Sequence, residues 1–356
     1  MTKKKGFIIF GVVLFILSAM AIGFLLLRHS RSERSTATFV PSEKKVIEFG
    51  SYPQSRIANE ALISELNRQD SEWKSYGYYN GRGAVGTARQ SDYMQYTDIC
   101  YNGEKYRGVR FSEYRSYCCH KSSESSWQQR YYHLDLDTVY WYKYEPIRWI
   151  VLNEDGSCFL MSENVLDSQP FNSVIYTDDP SQDLVLQAYY KDAAHTVYGL
   201  DYYESDIRAW LNGNFFETAF SAEEAEQILI TELDNSAWNK CFSEYDSQNS
   251  FDKVFLLSYD ESTNPSYGFS KQAEKTDNLR TAFPTDYALC QGVWTVGGLY
   301  KTGACWWWLR TAGTLPSIPC APTFYGSIVF TLNNPYTPDC VDTGVRPAIR
   351  LSELPN

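Results

Sequence analysis

Three adjacent tryptophans, Trp306, Trp307 and Trp308, run into Leu309 and Arg310. They are the residues of this chain most suited to recognition chemistry. In a strand, Trp306 and Trp308 share one face and Trp307 takes the other, so the three rings cannot all point to one side. Such a run divides between a core wedge and a stacking platform. Indole and phenol faces hold sugar C–H surfaces and peptides at low entropy cost. The expectation is a ligand surface in which Trp307 or a neighbour stands exposed beside Tyr300 and Tyr325, with Arg310 as a further contact. For each ring the competing reading is core. Arg310 and Arg346 are either structural ion-pair members or ligand contacts, since a buried arginine needs a partner.

Residue sets for catalysis are missing. The sequence has no G-x-S-x-G elbow, no H-E-x-x-H, no Walker A loop and no Rossmann glycine pattern. The four histidines, His29, His120, His133 and His195, are scattered. The acidic pairs Asp135/Asp137 and Asp178/Asp179 lack the calcium-hand pattern. Nine cysteines include no CxxC pair, which removes zinc-ribbon and thioredoxin readings. They either pair in an oxidising compartment, leaving one over, or sit buried as small apolar side chains. No cofactor and no metal site is expected. A net charge of −11 argues against nucleic acid as a partner.

Periodicity and capping signals supply the elements. Residues 45–50 read as a strand, and 56–69 as an amphipathic helix through Ile57, Leu62, Ile63 and Leu66. Residues 73–132 are Tyr-rich, with short strands such as 106–111 and long loops. TVYWYKY and IRWIVLN flank Glu145-Pro146 and read as two strands joined by a turn, with 158–162 as a third. Ser205 caps one helix and Ser221 with Glu224 opens a second. The last 70 residues read as strands at 293–300, 305–310, 327–332 and 345–351.

At the N-terminus, Lys3 to Lys5 precede an uncharged run of 22 residues, Gly6 to Leu27. At about 1.5 Å per residue, such a helix spans a hydrocarbon core of roughly 30 Å. The expected organisation is a cytoplasmic basic tail (1–5), a transmembrane helix (6–27), a linker (28–44) and one extracytoplasmic domain (45–356). A secreted form cleaved near Ala19-Met20-Ala21 is the alternative. Beyond residue 34 the chain carries 26 basic and 42 acidic residues, and such a body is repelled by an anionic cytoplasmic leaflet.

The ordered segments FGSYPQS, YWYKYEPIRWIVL, LMSENVLDSQPFN, SDIRAWLN, DKVFLLSYDE, WWWLRTAG and GVRPAIRL carry a resemblance. Over residues 45–353 the chain resembles a bacterial surface-protein domain family of unknown function, related to the formylglycine-generating-enzyme and C-type-lectin-like superfamily. The resemblance implies an α+β, C-type-lectin-like domain: two helices against small twisted antiparallel sheets. It implies no activity. The copper-holding cysteine pair of formylglycine-generating enzymes does not align to Cys305, Cys320 or Cys340, and the iron-binding histidines of the ergothioneine-synthase branch are absent. The calcium motifs of sugar-binding lectins are missing too. The expectation is therefore a membrane-anchored, non-catalytic binding module for a glycan or protein at the cell surface. A formylglycine-generating-type oxidoreductase and a structural envelope protein are the alternatives.

Overall fold

The computed structural model describes residues 44–76, 78–80, 89–91, 94–115, 132, 134–172, 188–192, 195–198, 200–239, 243, 246–296, 303–313, 320–329 and 338–355. All of them belong to one compact unit, 44–356. Its spine is a pair of long antiparallel strands, β1 (Val46–Arg56) and β5 (Tyr140–Asn153). Between them in sequence come β2 (Lys74–Ser75), β3 (Met94–Tyr101) and β4 (Glu104–Phe111). After them come β6 (Cys158–Ser162), β7 (Asp167–Ser168), β8 (Val254–Phe255), β9 (Gly344–Val345) and β10 (Ala348–Leu351).

The main sheet has eight strands in the order β8-β10-β6-β5-β4-β3-β2, with β1 on the other side of β5. The long strand β5 changes neighbour along its length. Its first half pairs with β4, from Tyr140↔Val109 to Lys143↔Tyr106. Its second half pairs with β6, from Trp149↔Ser162 to Asn153↔Phe159. The sheet therefore forks into two wings about a shared β1–β5 spine. β7 and β9 form a separate pair, Asp167↔Val345 and Ser168↔Gly344.

The fork explains why Glu145-Pro146 does not break β5 into two strands. A proline removes one ladder donor, and Pro146 lies in the gap where β4 has ended and β6 has not begun. On the β1 side, Gln54 Nε2 donates to the carbonyls of Glu145 (2.9 Å) and Pro146 (3.0 Å). A strand edge relieved of pairing at one position tolerates a proline there.

The helices are short. Among the described residues the longest α-helix is α1 (Glu60–Leu66), capped by Asn59. The Ser205 cap opens α2 (Asp206–Trp210), which continues through a π-helical turn at Leu211–Phe215 into α3 (Phe216–Ala219). Ser221 and Glu224 form a full capping box on α4 (Ala222–Gln227). Two further short helices are α5 (Tyr259–Ser262) and α6 (Asp286–Gln291).

The expected α+β, C-type-lectin-like domain behind a transmembrane helix is therefore corrected. The architecture is mostly antiparallel sheet with a few short helices, built on one large sheet. Capping signals reveal that helices start but not how soon they stop. The Tyr-rich region, read as loops and short strands, supplies the full-length pair β3–β4. Gly108 makes room there: a Cβ on it would lie 2.8 Å from the Trp141 ring. Among the described residues no helix is long and apolar enough to cross a membrane. The Gly6–Leu27 run lies outside the described residues.

The core sits between the sheet and the helical segment that runs beside β1. Phe49 and Tyr52 of β1 meet Phe220 and Phe215 at ring distances of 5.7 and 5.0 Å. Gly50 has φ +68°, and a Cβ there would stand 2.7 Å from the Ala219 carbonyl oxygen. Only glycine combines that backbone conformation with that approach.

Candidate functional site

A cleft of 390 Å³ opens between the β2–β3–β4 wing and the helical segment 206–219. That size falls in the range of small-molecule sites, about 300–1,000 Å³. Its sheet side is lined by Tyr52, Tyr76, Tyr96, Arg107 and Arg115, and its helical side by Asp206, Trp210, Asn214 and Thr218.

Behind the cleft floor lies Asp167 of β7, which is fully buried. Its Oδ2 accepts the Tyr52 hydroxyl (2.6 Å) and the Tyr76 hydroxyl (3.2 Å). Its Oδ1 accepts the Ser168 backbone N–H (2.6 Å) and Gln169 Nε2 (3.2 Å). Burial pushes the carboxyl above its ordinary range, and the Tyr52 hydroxyl, the Ser168 amide, the nearby Arg115 charge and Gln169 pull part of the way back. Burial also drives the Tyr52 hydroxyl well upward, helped by the neighbouring carboxyl. Asp167 therefore acts as a tie holding β1, the Tyr76 segment and β7 together.

The two arginines are tied down as well. Arg107 donates Nε (2.8 Å) and Nη2 (2.6 Å) to the two carboxylate oxygens of Asp98 and Nη1 to the Tyr287 hydroxyl (3.4 Å). Its guanidinium covers the Tyr96 ring at 4.6 Å. Arg115 donates Nη1 to the carbonyls of Ser168 (2.8 Å) and Gln291 (2.9 Å).

The helical wall depends on the π turn. Asp206, Trp210, Asn214 and Thr218 recur every four residues, and all four line the cleft. On an α-helix of 3.6 residues per turn, a four-residue repeat drifts by about 40° per step. The wider turn at Leu211–Phe215 takes up that drift and keeps the stripe on one face. Single π turns inserted in α-helices occur frequently at functional sites.

The tryptophan run is placed differently from the expectation. Trp307 and Trp308 are completely buried. Their segment is not a strand. Trp308 N–H donates to the Gly344 carbonyl (3.0 Å), and Gly344 N–H to the Trp306 carbonyl (2.9 Å). On the opposite side Trp307 N–H approaches the Pro322 carbonyl (3.4 Å). These bonds hold the backbone at both edges, and at 0% exposure neither ring has a face to offer, which corrects the expected exposure of Trp307 and leaves half-buried Trp306 as the partly open ring of the three. Trp307 Nε1 donates to the Arg280 carbonyl (2.8 Å), and the Arg346 guanidinium lies 5.1 Å from its ring. Trp308 Nε1 donates to the Gln169 carbonyl (2.9 Å), so this ring supports the cleft floor from behind. Trp306 is half-buried and meets Phe324, which in turn packs on exposed Tyr325. Tyr300 lies outside the described residues.

Arg310 is buried and faces a second cavity, of 470 Å³, together with Trp238, Tyr259, Asp260 and Glu261. It donates Nη1 to Glu261 Oε2 (2.5 Å) and to the Leu256 carbonyl (2.8 Å). Arg346 is buried too and donates to the carbonyls of Ser162, Leu279 and Glu163. Both arginines have structural partners.

The thiols of Cys305 and Cys320 are buried, donate to the separate carbonyls of Ala282 and Ala312, and are pushed well up by burial. Burial likewise raises Cys290 to about 12. Among the described residues no group of three His, Cys, Asp or Glu side chains could hold a metal ion.

A family model described as a domain of unknown function, DUF6273, matches residues 155–353. The chain belongs to this family. No curated protein and no solved structure matches it. The DUF6273 match holds Gln169 and the whole helical wall of the cleft. Tyr52, Tyr76, Tyr96, Arg107 and Arg115 precede it, so the chain ahead of the matched region builds the opposite wall. Sequence reasoning about ligand contacts missed every residue of this cleft. The available signal was the segments FGSYPQS, LMSENVLDSQPFN and SDIRAWLN, which contain Tyr52, Asp167 with Gln169, and Asp206 with Trp210.

Proposed function

We propose that this DUF6273 protein is a non-catalytic binding module that acts outside the cytoplasm and takes a glycan, or a glycan-bearing surface partner, in the cleft beside Trp210. The observation that carries the reading is the state of its polar groups. Asp167 already accepts four hydrogen bonds, and Arg107 is closed by Asp98 and Tyr287. A general base or nucleophile needs an uncommitted group within reach of substrate. These groups instead fix the shape of the cleft, which is what a binding site asks of its supporting residues. The placement outside the cytoplasm rests on the sequence of residues 3–27 and on the acidic body. Kinship with formylglycine-generating enzymes rests on motif order alone. Cys305 and Cys320, with raised thiols bonded to different carbonyls, favour a structural role over redox chemistry. Trp306, Phe324 and Tyr325 offer a second, shallower contact surface.

Thr218→Trp tests the site, because the new ring fills the cleft from the half-buried helical wall. Wild-type and variant chains are compared on a glycan array and on cell-envelope extracts, with melting measured in parallel. Loss of captured ligand at unchanged melting temperature is the expected result. Equal capture by both chains would refute the cleft as the site.

A further inference from the structure

The charge state of the cleft defines its ligand more narrowly, given that the cleft is the binding site proposed above. Two arginines in one cleft ordinarily signal an anion, since guanidinium groups grip carboxylates and phosphates bidentately. Here that grip is spent inside the protein. Every nitrogen of Arg107 has a partner: two meet Asp98 and the third meets Tyr287. Arg115 is 2% exposed, and its Nη1 is shared by two backbone carbonyls. An incoming anion would have to break these bonds. It would also meet the negative charges of Asp98 beside Arg107 and of Asp206 on the helical wall. A cation would face the two guanidinium groups instead.

Apart from the Asp206 carboxylate, the polar side chains of the helical wall are uncharged. Asn214 stands exposed at the lip, and neither its amide nor the Thr218 hydroxyl has a hydrogen bond among the described residues. An amide both donates and accepts, which suits a hydroxyl. One turn before Asn214 on the same stripe, the half-buried Trp210 ring lines the cleft. Across the cleft, Tyr76 and Tyr96 meet edge to face at 5.7 Å. Flat rings beside a neutral amide and a hydroxyl match a pyranose, which has an apolar C–H face and an equatorial rim of hydroxyls.

We propose that the cleft binds a neutral sugar ring, stacked on Trp210 and hydrogen-bonded by Asn214 and Thr218, and selects against sugars that carry a carboxylate or phosphate. The arginines make this selection: their positive charge is present, but the donors of Arg107 are held by Asp98 and Tyr287, and Nη1 of buried Arg115 is held by two backbone carbonyls.

The experiment titrates the full chain by calorimetry with tetrasaccharides of glucose, mannose and N-acetylglucosamine, and with a galacturonate tetrasaccharide of the same length. At least one neutral probe should bind tenfold or more tightly than the galacturonate probe, with little dependence on salt. Trp210→Ala should weaken that neutral probe about tenfold. Asn214→Ala, at an exposed position that leaves folding intact, should weaken it several-fold. Equal or tighter galacturonate binding that Thr218→Trp abolishes would overturn the neutral-sugar inference and leave the cleft reading standing. Sugar binding that Thr218→Trp and Asn214→Ala both leave unchanged would overturn the cleft reading itself. Failure of all four probes to bind at millimolar concentration would overturn the neutral-sugar inference, and the array and extract comparison would then decide the cleft reading separately.

Discussion

Trp307→Ala distinguishes a structural tryptophan from a ligand-binding one. The ring is completely buried, its Nε1–H is the donor to the Arg280 carbonyl, and the Arg346 guanidinium rests against its face. Removing a buried aromatic side chain costs about 3–5 kcal/mol through lost transfer energy and the cavity left behind. The upper half of that range is expected here. The Arg280 carbonyl loses a donor, worth about 1 kcal/mol, and Arg346 loses its stacking ring, worth about 0.5–2 kcal/mol. A domain of ordinary net stability, about 5–15 kcal/mol, would lose from a third to nearly all of it. Urea unfolding followed by far-ultraviolet circular dichroism reads this as a large fall in midpoint. Tyr325→Ala, at an exposed ring, is the control and should stay within about 0.5 kcal/mol of wild type. A Trp307→Ala loss below about 1 kcal/mol would refute the placement of this ring in the core.

The Asp167 carboxyl, held above its ordinary range by burial, gives a pH signature. A carboxyl that binds its proton more tightly when folded contributes fully below its unfolded value, near 3.8, and that contribution is lost as pH rises through the folded value. Asp167→Asn lacks this loss, so wild-type stability minus variant stability should fall as pH rises above the unfolded value near 3.8; a difference that rises with pH there contradicts the burial argument. Brief maleimide exposure of the native chain, mapped by mass spectrometry, should label exposed Cys100 and spare Cys158, Cys290, Cys305, Cys320 and Cys340 until the chain is unfolded. Rapid native labelling of Cys305 or Cys320 would count against their burial and reopen the redox reading.

Features governed by neighbours in sequence could be read from the sequence alone. Ser205 and the Ser221–Glu224 box open helices because a side-chain oxygen satisfies an amide three residues away. Residues 45–50, 158–162 and the stretch around 345–351 form strands, the last interrupted at Arg346-Pro347. The net charge of −11 argues against a nucleic-acid partner, and the absence of motifs left no familiar reaction to assign. The ordered segments from LMSENVLDSQPFN onward fall within the region that matches DUF6273.

Tertiary structure decided what each segment faces. Alternation puts Trp307 and Trp308 on opposite faces but does not say that either face is open, and the folded chain buries both rings completely. Pro146 reads as a turn until the fork of the sheet leaves its missing donor without consequence. The cleft brings Tyr52, Tyr76, Tyr96 and Arg107 to face Asp206 and Trp210, and their meeting depends on strand register and on the buried tie at Asp167. The four-residue stripe from Asp206 to Thr218 lines the cleft only because a π turn corrects its drift. Capping and periodicity are energies of a few neighbouring residues and are written in the local sequence. The burial of each ring and the meeting of the cleft walls are settled by residues far apart in sequence, such as Tyr52 with Asp167, and only the folded chain brings those together.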